Sequence, residues 1–178
     1  MTHPSNSNHK LQPNSRYCFV CGLDNRFGLR LRFHQTGPGE VTAEYTAPEH
    51  FQGYPGVVHG GIVAAMLDEL SGRAHMVGNP PRFMYTARLE IRYRKTVPVG
   101  QPLRLIARAG ESRGRSAEAS SQIFGPDGTL LAEANAVLVD VPKGTLDLAD
   151  LESLGWKVYP EEIADHAETV DWKVGLGD

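Results

Sequence analysis

The chain has 178 residues, of which 40% are hydrophobic and 22% charged, with a formal net charge of −3; that is enough apolar content for one globular domain with appendages. Its longest near-apolar stretch, residues 56–67, contains His59 and stops at Asp68, too short to span a membrane, and two cysteines are too few for a disulfide scaffold. No charged-then-apolar leader opens the chain, so a cytoplasmic address is expected.

Residues 1–16 are mostly Ser, Asn, Pro and His, with little to bury, and read as a loose tail. Cys18 and Cys21 follow in a Cys-x-x-Cys-Gly run. This is half of a four-ligand zinc site, and it leaves structural packing, a metal shared between chains and redox chemistry open. Leu29, Leu31 and Phe33 alternate with Arg30, Arg32 and His34, residues 37–39 make a Gly-Pro-Gly turn, and residues 41–46 alternate again. These features predict a strand pair. Residues 47–58 form a loop rich in Pro, Gly and aromatic residues.

From Gly61 the period changes. Val63, Leu67, Leu70, Ala74 and Val77 recur at helical spacing, which predicts one helix over 61–77, ended by the Gly-Asn-Pro-Pro run at 78–81. The period then returns to two. Phe83, Tyr85, Ala87, Leu89, Ile91 and Tyr93 share one face, and Thr86, Arg88, Glu90, Arg92 and Arg94 the other. Further alternating stretches at 102–112, 115–124 and 129–140 are separated by turns. The expected architecture is α+β: two strands, a long helix, then a four-strand antiparallel meander wrapped around that helix, within a domain spanning 17–140. Residues 141–178 hold 9 acidic and 3 basic residues and form an acidic extension. In it Leu148, Leu151 and Leu154 suggest a short helix ending at Gly155, and Pro160 a second start.

The run from Tyr54 through His59-Gly60-Gly61 to Asp68 carries the chemistry. A glycine pair opening a helix leaves N–H groups aimed outward with the helix dipole behind them, a geometry that binds an anion or polarises a carbonyl. Gly60 lets a substrate approach its amide closely. A tight loop-to-helix turn would show the same residues. Asp is a weak helix former, so Asp68 in mid-helix, on a face with the small residues Ala64, Ser71 and Gly72, is a candidate base or nucleophile. Glu69 lies about 100° further round the helix and ranks second.

The order of elements, the Gly-Tyr-Pro-Gly-Val-Val-His-Gly-Gly run at 53–61 and the Asp nine residues after His59 resemble the hotdog-fold acyl-CoA thioesterases of the phenylacetate-degradation type. The likeness covers roughly residues 17–140. It implies that the Gly60 amide polarises a thioester carbonyl, that Asp68 activates water or attacks, and that Thr86 on the next strand assists, with His59 shaping the turn. Several members of that family carry Asn where this chain has Gly53, and Gln52 is the neighbouring candidate to substitute for it. Gly61, Gln52 and Tyr54 are candidate substrate contacts, with Met66 and Phe83 as further pocket walls. Between Arg82 and Arg115 there are 9 basic residues against Glu90 and Glu111, a positive field suited to an anionic ligand. Arg88, Arg113 and Arg115, with Arg92, Arg94 and Lys95, are candidates to meet the phosphates of coenzyme A. The expected reaction is hydrolysis of an acyl-CoA to free acid and coenzyme A, with no organic cofactor, no metal and no nucleic-acid partner. The expected assembly is a homodimer or dimer of dimers sharing active sites between chains. A non-catalytic acyl-CoA-binding module and an acyl-CoA dehydratase are the competing readings.

Overall fold

The structure, a computed structural model, describes residues 9–76 and 81–160. Strands β1 (Lys10–Leu11), β2 (His34–Gly37) and β3 (Glu40–Thr46) lead to a small hairpin of β4 (Gln52–Tyr54) and β5 (Val57–Val58). Helix α1 (Gly60–Ala74) follows, then β6 (Met84–Tyr93), β7 (Pro102–Arg113), β8 (Ser116–Phe124), β9 (Leu130–Asp140) and the short helix α2 (Leu148–Ser153). Seven strands form one sheet in the order β1-β2-β3-β7-β8-β9-β6, antiparallel at every pairing. Among the described residues no helix is long and apolar enough to cross a membrane.

Alternation explains which side of the sheet is covered. Leu103, Leu105 and Ala107 of β7, Ala117, Ala119 and Ile123 of β8, and Ala132, Ala134, Ala136 and Leu138 of β9 are all buried. Against this face α1 presents Val63, Met66, Leu67, Leu70 and Ala74, also buried. The many alanines on β8 and β9 allow the helix backbone to sit close, and each large aliphatic side chain buried there contributes roughly 1.5–3 kcal/mol.

Four expectations are revised. The last four strands are not a simple meander: β7, β8 and β9 are neighbours in order, but β6 pairs with β9 at the far edge. The connection over residues 94–101 is longer than a tight hairpin loop and crosses the sheet end, burying Val97 and accepting the Val58 N–H on the Val97 carbonyl at 2.8 Å. Next, residues 29–33 are alternately buried, yet Arg30 takes a left-handed φ of +57° that breaks the extended run, and the strand itself starts at His34. Their partner is the cysteine loop, with the Leu29 and Leu31 N–H groups donating to the Phe19 and Val20 carbonyls.

The described part of the proposed tail, residues 9–16, is packed. Lys10–Leu11 pairs with β2, and the buried Asn14 amide donates to the Cys21 and Leu31 carbonyls at 2.6 and 2.8 Å. A polar composition that looked solvated supplies backbone partners instead. Finally, α1 begins one residue earlier than expected and ends at Ala74, with His75 as its C-cap; Val77 and the expected Gly78-to-Pro80 stop lie outside the described residues. The short helix near 148–154 is present. Gly155, at φ +63°, closes it with the Gly155 and Trp156 N–H groups donating to Glu152 and Leu151 carbonyls, a Schellman end. The second start at Pro160 falls largely outside the described residues.

Candidate active site

His59 is the N-cap of α1. Its Nδ1 accepts the Gly61 N–H at 3.0 Å, and its carbonyl accepts the N–H groups of Ile62 and Val63 at 2.9 and 3.1 Å. An accepting Nδ1 places the ring proton on Nε2. Of the first helical donors this leaves the Gly60 N–H without a partner among the described residues. The His59 N–H is tied to the Phe51 carbonyl at 2.9 Å, which fixes the hairpin against the helix start. Gly53 is part of that fit, since a Cβ there would meet the His59 Cα at 3.2 Å. The Tyr93 hydroxyl donates to the Gly60 carbonyl at 2.9 Å. Around this point is a cleft of about 340 Å³ whose walls include Tyr54, His59, Gly60, Tyr93 and Lys95.

Asp68 is half-buried, and its carboxylate has no hydrogen bond or ion pair among the described residues. Glu69 differs. It pairs with Arg73 at 2.9 Å, and Arg73 lies buried between Phe33 and Trp156, its guanidinium carbon 4.6 and 5.0 Å from the two ring centres. Ser71 does not share the Asp68 face: it is fully buried, donating to the Leu67 carbonyl at 2.8 Å and meeting the Ser121 hydroxyl at 3.0 Å. The stripe beside Asp68 is therefore Ala64 and Gly72. Along one helix Gly60 and Asp68 stand about 12 Å apart at 1.5 Å per residue.

Thr86 departs from its expected face. The β6–β9 register slips between Thr86 and Arg88, so Ala87 is the extra residue of a bulge. Thr86 is thereby paired with the buried Leu138, and Leu89 with the buried Ala136, which puts Thr86 on the inner side with Met84 and Leu89 and leaves Arg88 outside. Gly61 offers no free amide, because His59 takes it. The Gln52 side chain closes its own hairpin by accepting the Gly56 N–H at 3.3 Å. Tyr54 is 79% exposed at the cleft rim, whereas Met66 is fully buried in the core and Phe83 packs edge-on against Trp156. Arg88 lines a separate shallow depression with Glu90, Arg108 and Glu118. Arg113 pairs with Glu111 at 2.6 Å, and Arg115 follows it at the β7–β8 turn, the sheet end away from Tyr93. Within one chain the cleft is approached instead by Arg94, held by Glu133, and by Lys95, which makes no ion pair among the described residues. Arg94 and Lys95 are thus the members of the expected basic set that reach this cleft, whereas Tyr93 is not apparent as a site residue in the sequence, because the crossover after β6, not the local pattern, brings it to the helix start.

A second cluster lies behind α1. The sulfurs of Cys18 and Cys21 and a Glu69 carboxylate oxygen are all within 4.8 Å of one another. The Cys21 thiol lowers the Cys18 thiol to about 7, helped by the Cys21 and Val20 N–H groups and opposed by burial and the Glu69 charge. Cys21 is pushed up by its neighbour sulfur and by burial.

Known proteins place this arrangement. A crystal structure of a thioesterase superfamily protein superposes with a TM-score of 0.65 at 30% identity, over 70% of this chain and 61% of that one. The structure of smu.793 from Streptococcus mutans, bound to acetyl CoA, superposes at 0.58 and 18% identity, over 64% and 90%. A helix enclosed by an antiparallel sheet in this order is the hotdog fold. Residues 55–132, from the hairpin through most of the sheet, match the family model of the Thioesterase superfamily. Acyl-coenzyme A thioesterase THEM4 of Rattus norvegicus is 28% identical over 123 residues, 68% of this chain and 52% of that protein. The chain thus spans about half the length of that curated relative.

Proposed function

We propose that this protein is an acyl-CoA thioesterase, hydrolysing an acyl-CoA thioester to a free acid and coenzyme A. The observation that carries the reading is a pair of groups on one helix with no partner among the described residues: the Gly60 N–H at its start, opening on a cleft, and the Asp68 carboxylate two turns later. An N–H at a helix start, aimed where negative charge develops on a thioester oxygen, stabilises the oxyanion. A carboxylate free of ion pairs can take a proton from water or attack the carbonyl carbon. The names of the relatives point the same way: THEM4 is called an acyl-coenzyme A thioesterase, and the Streptococcus mutans structure holds acetyl CoA.

The two groups must meet on one carbon, which a single helix forbids at about 12 Å separation. The reading therefore includes a homodimer in which Gly60 of one protomer is served by Asp68 of its partner. The surface for it is β6, a ten-residue strand at the sheet edge. Two-fold pairing along that edge reverses the second copy. It turns the β7–β8 end of the partner, with Arg113 and Arg115, towards the Tyr93 end of the first. In this assembly those arginines and Lys95 are the candidates for the coenzyme phosphates, Thr86 supports the reacting water or carboxylate from the inner face, and the subtype is the phenylacetate-degradation one. A cytoplasmic address belongs to the same proposal, supported by two free thiols.

The test is release of free thiol from a panel of acyl-CoAs by the purified protein. Turnover abolished by Asp68→Asn supports hydrolysis at this site. Tight binding of acyl-CoA without turnover would move the protein to the binding-module reading, and hydration of an enoyl-CoA without thiol release to the dehydratase.

A further inference from the structure

The cysteine cluster plays no part in thioester chemistry, yet it is built with care. Residues 18–22 form a single closed turn in which the Gly22 N–H donates to the Cys18 carbonyl at 2.9 Å. The Cys18 sulfur accepts two amides from inside that turn, Val20 at 3.3 Å and Cys21 at 3.4 Å. Gly22 is obligatory, because a Cβ there would stand 2.4 Å from the Cys18 carbonyl oxygen and 2.6 Å from its nitrogen. A turn with amides directed at sulfur favours a thiolate, and both sulfurs lie on the side facing α1.

The third member comes from that helix. Glu69 splits its two oxygens: Oε1 is held by the Arg73 guanidinium at 2.9 Å, and Oε2 faces the Cys18 sulfur at 3.8 Å. Arg73 is itself fixed, buried and bonded to the Pro13 carbonyl. A carboxylate with one oxygen pinned and the other presented to two sulfurs has the orientation that an outer-shell partner gives to a metal ligand. In a tetrahedral zinc site, with Zn–S at about 2.3 Å and Zn–O at about 2.0–2.2 Å, sulfur and oxygen ligands lie roughly 3.6 Å apart. The observed 3.8 Å is close to that separation.

We propose that Cys18, Cys21 and Glu69 bind one thiophilic divalent cation of the zinc class, with water in the fourth position. Charge supports the assignment. Two thiolates and a carboxylate carry three negative charges, and the dication with Arg73 neutralises them, so the partly buried cluster keeps no net charge. The site would clamp the cysteine loop to the middle of α1, next to Asp68, and so hold the helix in register with the N-terminal segment. This is a structural role, separate from hydrolysis.

The test uses the full chain, stripped with a chelator under reducing conditions and titrated with Co²⁺ as a spectroscopic probe. The expected result is one equivalent bound, with a sulfur-to-cobalt charge-transfer band and tetrahedral visible bands, both lost on adding Zn²⁺. Glu69→Gln should weaken binding by at least the roughly 10–100-fold that loss of an outer-shell partner costs; unchanged affinity would remove Glu69 and overturn the site as drawn. The Cys18→Ser, Cys21→Ser double variant should bind no cobalt with the sulfur band. Should that variant not fold, alkylation of the native protein decides: Zn²⁺ should shield both thiols, reversibly by chelator. Thiols alkylated equally with and without Zn²⁺, or a reduced protein that takes up no metal and reoxidises to a Cys18–Cys21 disulfide, would overturn the proposal.

Discussion

Asp68 and Glu69 are adjacent carboxylates on α1, and their surroundings assign them different work. Glu69 is engaged by Arg73, whose guanidinium is shut away from solvent between two aromatic rings. Asp68 sits half-buried beside Ala64 and Gly72, with no ion pair among the described residues. Asp68→Asn keeps the shape and removes the base or nucleophile, so turnover should fall by roughly 10²–10⁴-fold with acyl-CoA affinity largely kept. Thiol-release kinetics beside direct binding measurements check this, and near-normal turnover in a folded variant would end the assignment. Glu69→Ala should act on stability instead. It strands the buried Arg73 charge, a loss of about 3 kcal/mol on the scale of broken buried ion pairs. Chemical denaturation reads it, and a change below about 1 kcal/mol would mean Arg73 finds other partners at little cost.

The elements that position these residues were legible to different degrees. Helix α1 and the last four strands can be read from periodicity, since apolar spacing at 63, 67, 70 and 74 and alternation after 83 record which side meets the core. The pairing order cannot be read that way, because alternation reports a strand's face and not its neighbour; the crossover that takes β6 to the far edge, burying Val97 on the way, leaves no mark in that pattern. The bulge at Ala87 is hidden for a related reason. One inserted residue leaves each short stretch alternating but rotates Thr86 from the face of Arg88 to that of Leu138. Among the site residues, His59, Gly60 and Asp68 stood out by type and spacing, whereas Tyr93 looked like one more apolar-face residue until the fold brought its hydroxyl to Gly60. The bulge makes a testable difference. If the inner-face hydroxyl of Thr86 holds the reacting water or carboxylate, Thr86→Val should lower turnover about tenfold, the effect of one lost hydrogen bond of about 1.4 kcal/mol, while Thr86→Ser stays near wild type. Activity kept in Thr86→Val but lost in Thr86→Ser would show that the methyl group, and so packing, is what matters.

At the scale of the whole molecule, the question is what completes a site that one chain leaves open. A ten-residue edge strand offers unpaired backbone groups along its length, which suits pairing with a second copy. Such a two-fold partner brings its basic β7–β8 turn towards the cleft, so apparent affinity for acyl-CoA should weaken as salt screens exposed charges. An acyl-pantetheine without the nucleotide should bind less well and lose that salt dependence; identical kinetics for both substrates at low salt would refute phosphate recognition. The sharper test concerns the sharing of chemistry. Asp68→Asn disables the carboxylate. Gly60→Val covers the amide, and the fold should tolerate it, since the nearest atoms to a Cβ at Gly60 are those of the Tyr93 side chain, at ordinary contact distances of 3.7–3.8 Å. Each variant alone should be inactive, because each of its two sites carries one defect. In a mixed dimer the site that combines Gly60 of the first variant with Asp68 of the second is intact, and the other collects both defects. About half the wild-type activity should then return per mixed dimer, as two-fold symmetry with mixed sites requires. If the carboxylate instead served the amide of its own chain, every site in the mixed dimer would keep one defect. Co-expressed, differently tagged variants purified as heterodimers separate the two cases, and heterodimers as inactive as their parents would rule out the shared site.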